Sequence, residues 1–304
     1  MQATRAKLNH ARPRLKRTIL IVGCGDVGAR VLAYLKSRLS SVKARAAGRQ
    51  KPELAAEHAS NLPNFAYINL DLDHRSSLAR AAGLANWVIY LAPPPAAGVD
   101  DSRIRNYLAN CRAKRLVYVS TTGVYGAAGG AWVTETSPLA PSELRGVRRV
   151  AAEKRLKTSA LPHVTILRAP GIYAADRLPL ARIKSGQPAL IAADDVPTNH
   201  IHADDLARLC WLALFKGKNR RAYNAADGQP MMHADYLQAV AQHYGLDSPP
   251  RLPKHAVIEA LSSAQWSMLA GARRVSSTRI QAEWGLKLKH PSVVDFLTSV
   301  NCVV

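Results

Sequence analysis

Short apolar runs alternate with longer segments of helical periodicity through the first half of the chain. The first run, Thr18-Ile19-Leu20-Ile21-Val22, ends abruptly at a glycine-rich turn from Gly23 to Gly28. Apolar residues then recur at Val27, Val31, Leu32 and Leu35, the spacing of one helix face. Strand, glycine turn and helix together open a βαβ unit. Further strands are predicted over 42–47, 65–70, 87–91, 116–120 and 163–167, with room for crossover helices between them. Near-continuous apolar strands of this kind belong to a parallel sheet covered on both faces, so the predicted class is α/β, doubly wound.

Beyond residue 170 the alternation weakens, and Pro and Gly become frequent. Helices are predicted over 234–244 and 255–269, and a strand or two should return to the main sheet near Ile201 and Tyr223. The expected organisation is a tail over 1–17, a doubly wound domain over 18–170 with return elements near 198–225, and a smaller mixed lobe over 171–304.

Composition narrows the classes of partner. The apolar share of 48% in 304 residues is enough for a sizeable core. Against 21 acidic residues stand 42 Lys and Arg, a formal charge of +21. Six of these bases (Arg5, Lys7, Arg12, Arg14, Lys16 and Arg17) lie in the tail, so the body holds 36 bases against 21 acids and is itself basic. Anionic partners are favoured: a phosphorylated cofactor, a small anionic substrate, or, as the weakest alternative, nucleic acid. No helix-turn-helix, RNA-recognition or zinc motif supports the last of these. The four cysteines (Cys24, Cys111, Cys210 and Cys302) are far apart with no CxxC spacing, which reads as free thiols in a reducing cytoplasm. Residues 1–17 lack the apolar stretch of a secretory signal, and no apolar run approaches the roughly 18 residues of a membrane span. The expectation is a cytoplasmic protein without a membrane partner.

The turn Gly23-Cys24-Gly25-Asp26-Val27-Gly28 has the G-x-G-x-x-G spacing in the context that gives it meaning, after a strand and before a helix. Gly23 allows the tight turn, Gly25 lets the backbone approach a pyrophosphate, and Gly28 lets helix and strand pack closely. Amides and the positive end of the helix dipole would then meet the phosphates. The sheet is therefore expected to be of Rossmann type, with a dinucleotide on this turn. An NAD site usually places an acid about 20 residues further on, against the ribose hydroxyl. Here Gly48-Arg49 stands in that place, and a guanidinium suits a 2′-phosphate, so NADP is expected in preference to NAD. Arg45 and Lys51 could reinforce Arg49. Asp71 and Leu72 after the third strand could flank the adenine, and Leu91 and Ala92 after the fourth could flank the nicotinamide-side ribose. Cys24 beside a helix N-terminus is either a thiol of lowered pKa or a small residue that fits.

These marks, with others further along, resemble the short-chain dehydrogenase/reductase superfamily in its extended and atypical branches, which include nucleotide-sugar epimerases and dehydratases. The resemblance runs through GCGDVG at 23–28, DLD at 71–73, STTGVYG at 120–126, ETSPLAPSELRGVRRVAAE at 135–153, LRAPGIY at 167–173, IHADDLA at 201–207, YNAADGQP at 223–230 and STRIQAEWGLKL at 277–288. It implies a homodimer through helices of the main domain. It also places Thr121 where the family has an active-site Ser or Thr. The family's catalytic Tyr-x-x-x-Lys is missing: alignment on Ala152-Glu153 puts Arg145 at the Tyr position and Arg149 at the Lys position. Arg has no accessible neutral form and cannot take over the proton transfer of that Tyr. Arg149 could instead donate to the nicotinamide ribose, and Arg145 could bind a substrate carboxylate or phosphate. A substitute acid would have to be Thr121 or Tyr125, Tyr125 being equally readable as core. Two readings follow. One is an oxidoreductase or epimerase acting on a carbonyl or hydroxyl of a small, nucleotide-sugar-like substrate. The other is a non-catalytic NADP(H) sensor or scaffold. His200-x-His202-x-Asp204-Asp205 has metal-like spacing, with both imidazoles on one side of a strand. In the family this segment is structural and its acids begin a helix as caps, so no metal is expected.

Overall fold

The computed structural model describes residues 18–38, 43–50, 53, 65–81 and 83–300. The basic tail, Val42, Lys51 and Cys302 lie outside the described residues. Seven strands form the central sheet: β1 (Thr18–Val22), β2 (Lys43–Gly48), β3 (Ala66–Asn69), β4 (Trp87–Tyr90), β5 (Arg115–Thr121), β6 (Val164–Ala169) and β7 (Arg221–Asn224). Their order is β7-β6-β5-β4-β1-β2-β3, and every pairing is parallel. This is a doubly wound Rossmann-type sheet with one strand added at the β6 edge. The winding reverses between β1 and β4, so the crevice outside their carboxyl ends is the ligand position of the fold.

Both faces of the sheet are buried at β1, β4, β5 and β6, which is why these strands read as continuous apolar runs. In β1, Ile19 and Ile21 pack on one side and Leu20 and Val22 on the other. The first side carries α1 (Asp26–Arg38) and a helix over Ala203–Lys216, through Val31, Leu32, Leu35, Leu206, Leu209 and Leu214. The second carries α2 (Arg75–Ala81), α3 (Ser102–Asn110) and α4 (Leu144–Lys157), through Leu78, Ile104, Tyr107, Ala152 and Leu156. The helix over Ala203–Lys216 is called α5 below.

Of the two strands expected to return, only the one around Tyr223 joins the main sheet, as β7. The segment around Ile201 departs from that expectation: His200–His202 pairs in parallel with Gly171–Tyr173, away from the central sheet. The remaining pairings after residue 170 are two residues long, 197–198 with 231–232 and 189–190 with 251–252. They frame a cluster in which Tyr173, Leu178 and Ile183 pack on Leu237, Val240, Phe296 and Leu297. The helix expected over 255–269 is two helices, Lys254–Ala260 and Ser263–Ala270. Ser262 breaks it by capping the second one: its side chain accepts the Gln265 amide while Gln265 reaches back to the Ser262 amide. Among the described residues no helix is long and apolar enough to cross a membrane.

Candidate dinucleotide and substrate site

Each glycine of the turn does a different job. Gly23 has φ +78°, and a Cβ there would lie 2.5 Å from the Ala92 amide nitrogen, so the turn closes against the loop after β4 only without a side chain. Gly28 packs on the strand, with Cys24 Sγ at 3.1 Å and Ile21 Cγ2 at 3.3 Å from the place of its missing Cβ. Gly25 faces open space: nothing lies within 4 Å of a Cβ built there. A cradle closed below and clear above, at the head of a 13-residue helix, fits a dinucleotide pyrophosphate.

The side chains around the cradle divide into those turned toward the crevice and those used elsewhere. Val27 is part of the core face of α1. Asp26 turns its carboxylate sideways, accepting from Arg30 Nε at 3.0 Å and from Arg177 Nη1 at 2.7 Å. Only its main chain is left for a phosphate, and the two guanidiniums offset its charge. Cys24 is buried, and burial pushes its thiol up to about 12. Desolvation therefore outweighs the helix terminus, and the reading of Cys24 as a thiol of lowered pKa is corrected. Arg49 is exposed at the end of β2, where the adenosine end would lie. Arg45 sits within β2, paired across to Ala66, and cannot stand beside Arg49 at the strand end. Asp71 spends Oδ1 on the Asp73 amide at 2.9 Å, and Leu72 is buried. Leu91 donates its amide to Val22 at 2.8 Å, which holds the β4 loop beside the glycine turn, and Ala92 is buried against Gly23.

At the end of β5, Thr121 Oγ1 accepts the Gly123 amide at 3.1 Å and caps the short turn over Thr122–Tyr125. The hydroxyl proton is not used in that bond and is available to a ligand. Arg145 is exposed in the first turn of α4, next to Gly146, whose missing Cβ would come within 2.8 Å of the Gly123 carbonyl. That contact presses the head of α4 onto the turn after Thr121. Arg149 is folded under the β4 loop: Nη1 donates to the Tyr118 hydroxyl at 2.7 Å and to the Ala92 carbonyl at 3.4 Å, with the guanidinium 5.2 Å from the Tyr118 ring centroid. It sits beside the β4 loop, with Nη1 engaged by the protein itself.

Tyr125 departs most from its role as a substitute acid. It is 4% exposed; its hydroxyl donates to Asn224 Oδ1 at 2.6 Å and accepts from Arg168 Nη1 at 2.9 Å. Arg168 in turn grips Glu153, with Nη2 to Oε2 at 2.7 Å, both side chains 1% exposed. Asn224 takes its place through its amide, which donates to Glu135 Oε1 at 2.8 Å. Burial raises the Tyr125 hydroxyl above its ordinary range. Its proton is committed inside the protein, so the assignment as a substrate acid is corrected: Tyr125 fastens β5, β6, β7 and α4 below the site.

Several side chains that brace the site lay beyond sequence reasoning because their partners are distant in the chain. Arg103 grips Asp73 in bidentate fashion at 2.8 and 2.6 Å and donates to the Pro93 carbonyl at 3.2 Å, bridging the loops after β3 and β4. Arg30 joins Asp26 to Asp176 at 2.8 Å and to Asp204 at 2.9 Å, tying α1 to the segments after residue 170. The start of α5 departs from the expected capping by its acids. The cap of α5 is His202, whose Nδ1 accepts the Asp204 amide at 3.2 Å. Asp205 instead accepts the amides of Lys289 and His290 at 2.9 and 2.8 Å.

The profile of the NAD dependent epimerase/dehydratase family matches residues 19–226. Solved structures of the same fold cover nearly the whole chain. A conserved protein of unknown function from Silicibacter pomeroyi is 25% identical, with TM-score 0.73, over 93% of this chain and 97% of that one. dTDP-glucose 4,6-dehydratase from Bacillus anthracis, in complex with NAD, is 17% identical, with TM-score 0.75 over 92% and 94%. The Bordetella bronchiseptica enzyme WbmG, in complex with NAD, is 18% identical, with TM-score 0.72 over 94% of each chain. No curated protein sequence matches this chain significantly.

Proposed function

The chain belongs to the NAD dependent epimerase/dehydratase family, and on that premise we propose that it binds a nicotinamide dinucleotide and acts on a carbonyl or hydroxyl of a small anionic, nucleotide-sugar-like substrate. The observation that carries this reading is the open space before Gly25, between a filled Gly23 and a filled Gly28. The nicotinamide ring, when bound, supplies hydride transfer. The other roles fall to the chain's own residues. The amides at the head of α1 take the pyrophosphate. Arg49 reaches the adenosine end and favours NADP, in which this chain would differ from the NAD-bound dTDP-glucose 4,6-dehydratase and WbmG. Thr121 donates its hydroxyl proton in a hydrogen bond to the reacting oxygen. Arg145, free at the surface of α4, pairs with a substrate phosphate or carboxylate. Arg149 holds a fixed positive charge beneath the β4 loop.

The test is turnover of nucleotide sugars, or of NADPH with carbonyl compounds, by the wild type and Thr121→Val. The variant should lose roughly 10²-fold in kcat, the lower range for a positioned proton donor, with dinucleotide affinity unchanged. Equal turnover by the two proteins would remove Thr121 from the reaction. One observation favours a second reading, a non-catalytic dinucleotide-binding sensor or scaffold: the Tyr125 hydroxyl is spent on the protein itself. Tight dinucleotide binding with no turnover across such a screen would decide for it.

A further inference from the structure

Beside α1 lies a cleft of about 640 Å³ lined by Arg30, Asp176, His202, Asp204, His290 and Asp295. His202, Asp204 and His290 each bring one donor atom to within 4.8 Å of the others. The two imidazoles stack with centroids 3.9 Å apart, and His202 Nδ1 lies 3.9 Å from Asp204 Oδ2. In a tetrahedral set with bonds of about 2.0–2.2 Å, neighbouring donors lie roughly 3.3–3.6 Å apart. Rotations of the two imidazoles that unstack them and draw the donors together by about 1 Å would close the set on one ion.

We propose that His202, Asp204 and His290 form a site for one divalent transition-metal ion, with Zn²⁺ the first choice. Two imidazoles and one carboxylate select a borderline ion over Mg²⁺ or Ca²⁺, which want oxygen alone. The donors are held from behind, as ligands in metal sites are. His202 is packed between Tyr173 and Phe296, with ring centroids at 5.2 and 4.8 Å. Asp204 gives Oδ1 to Arg30 at 2.9 Å, which leaves Oδ2 for the ion. The His290 amide is anchored on Asp205 at 2.8 Å. Charge agrees. Asp176, Asp204 and Asp295 face the cleft against Arg30 and Lys289 alone, a local acidic excess in a chain of net charge +21. The ion displaces the long bond from the Asp204 amide to His202, and the cleft keeps its remaining coordination positions open to water or an incoming ligand. Through Asp204 and Arg30 the ion would brace the helix that carries the glycine turn.

The experiment is calorimetric titration of ZnCl₂ into the untagged, EDTA-treated full chain, with Co²⁺ as the spectroscopic probe. One equivalent should bind at micromolar affinity or better, and Co²⁺ should give a visible ligand-field spectrum. His290→Ala should weaken binding at least tenfold and abolish that spectrum, whereas His255→Ala, at an exposed imidazole elsewhere, should leave both intact. No stoichiometric binding, or equal affinity in the wild type and His290→Ala, would overturn the site. Should His290→Ala fold poorly, Zn²⁺ K-edge absorption of the wild type decides: two imidazole ligands support the site, and all-oxygen ligation overturns it.

Discussion

Arg49 stands in solvent at the end of β2, a position where a carboxylate would grip a ribose hydroxyl and repel a 2′-phosphate. A guanidinium reverses both preferences. One charge-assisted contact at an exposed site is worth up to about 1 kcal/mol, roughly a factor of five in affinity. NADPH should therefore bind up to about fivefold more tightly than NADH, and Arg49→Asp should close or invert the gap without changing the melting temperature. Fluorescence titration of both cofactors checks this; identical ratios in the two proteins would take Arg49 out of cofactor choice. Tyr125 shows where residue-level reading stops. Its place after the β5 turn is legible in VYG, but the partners that consume its hydroxyl, Asn224 and Arg168, are 99 and 43 residues away. Nothing in local spacing announces them. Cys24 is similar: the helix terminus is visible in the sequence, while the burial that outweighs it is a property of the packed fold.

The inner strands of the sheet were legible because burial on both faces leaves a plain signal, a run of apolar residues. The segments after residue 170 lacked that signal, since their pairings away from the main sheet are two or three residues long and their apolar residues pack on distant helices. The helix over His233–His243 illustrates the energetics there. His233 is buried at its start, and Nε2 accepts from Arg182 Nη1 at 3.1 Å. Burial, then Arg182, then His200 hold the imidazole down to about 3 from an ordinary 6.5. The folded state thus binds fewer protons than the unfolded one between those values, so stability rises with pH across the window and falls on acidification from 6.5 toward 3. Asp227, which burial lifts to about 7, acts in the opposite sense: it favours the folded state at the acid end of its own window, from 7 down to 3.8. His233→Asn keeps an acceptor for Arg182 and removes the titration. Its melting temperature should fall less steeply than the wild type's between pH 6.5 and 4, and parallel curves would mean that His233 titrates normally in the folded protein.

At the scale of the molecule, the sheet order places the ends of β1 and β4 side by side at the reversal of winding, and the glycine turn, the β4 loop and Thr121 on β5 gather at that one edge. The architecture and this edge were readable from the chain, because each rests on local pattern. The bracing between α1 and the segments after residue 170 was not, because Asp26, Asp176 and Asp204 converge on Arg30 only in the folded protein. The central claim is that this edge holds a dinucleotide on Gly25. Calorimetric titration of NADPH into the wild type, Gly25→Val and Gly23→Ala tests it directly. Gly23→Ala should destabilise the fold, since its Cβ meets the β4 loop at a positive φ. Gly25→Val should keep a melting temperature within a few degrees of the wild type's, because a Cβ there meets no protein atom within 4 Å. The account predicts stoichiometric binding by the wild type and a loss of at least 100-fold in Gly25→Val. Undiminished binding by that variant, or no binding of either NADPH or NADH by the wild type, would contradict it.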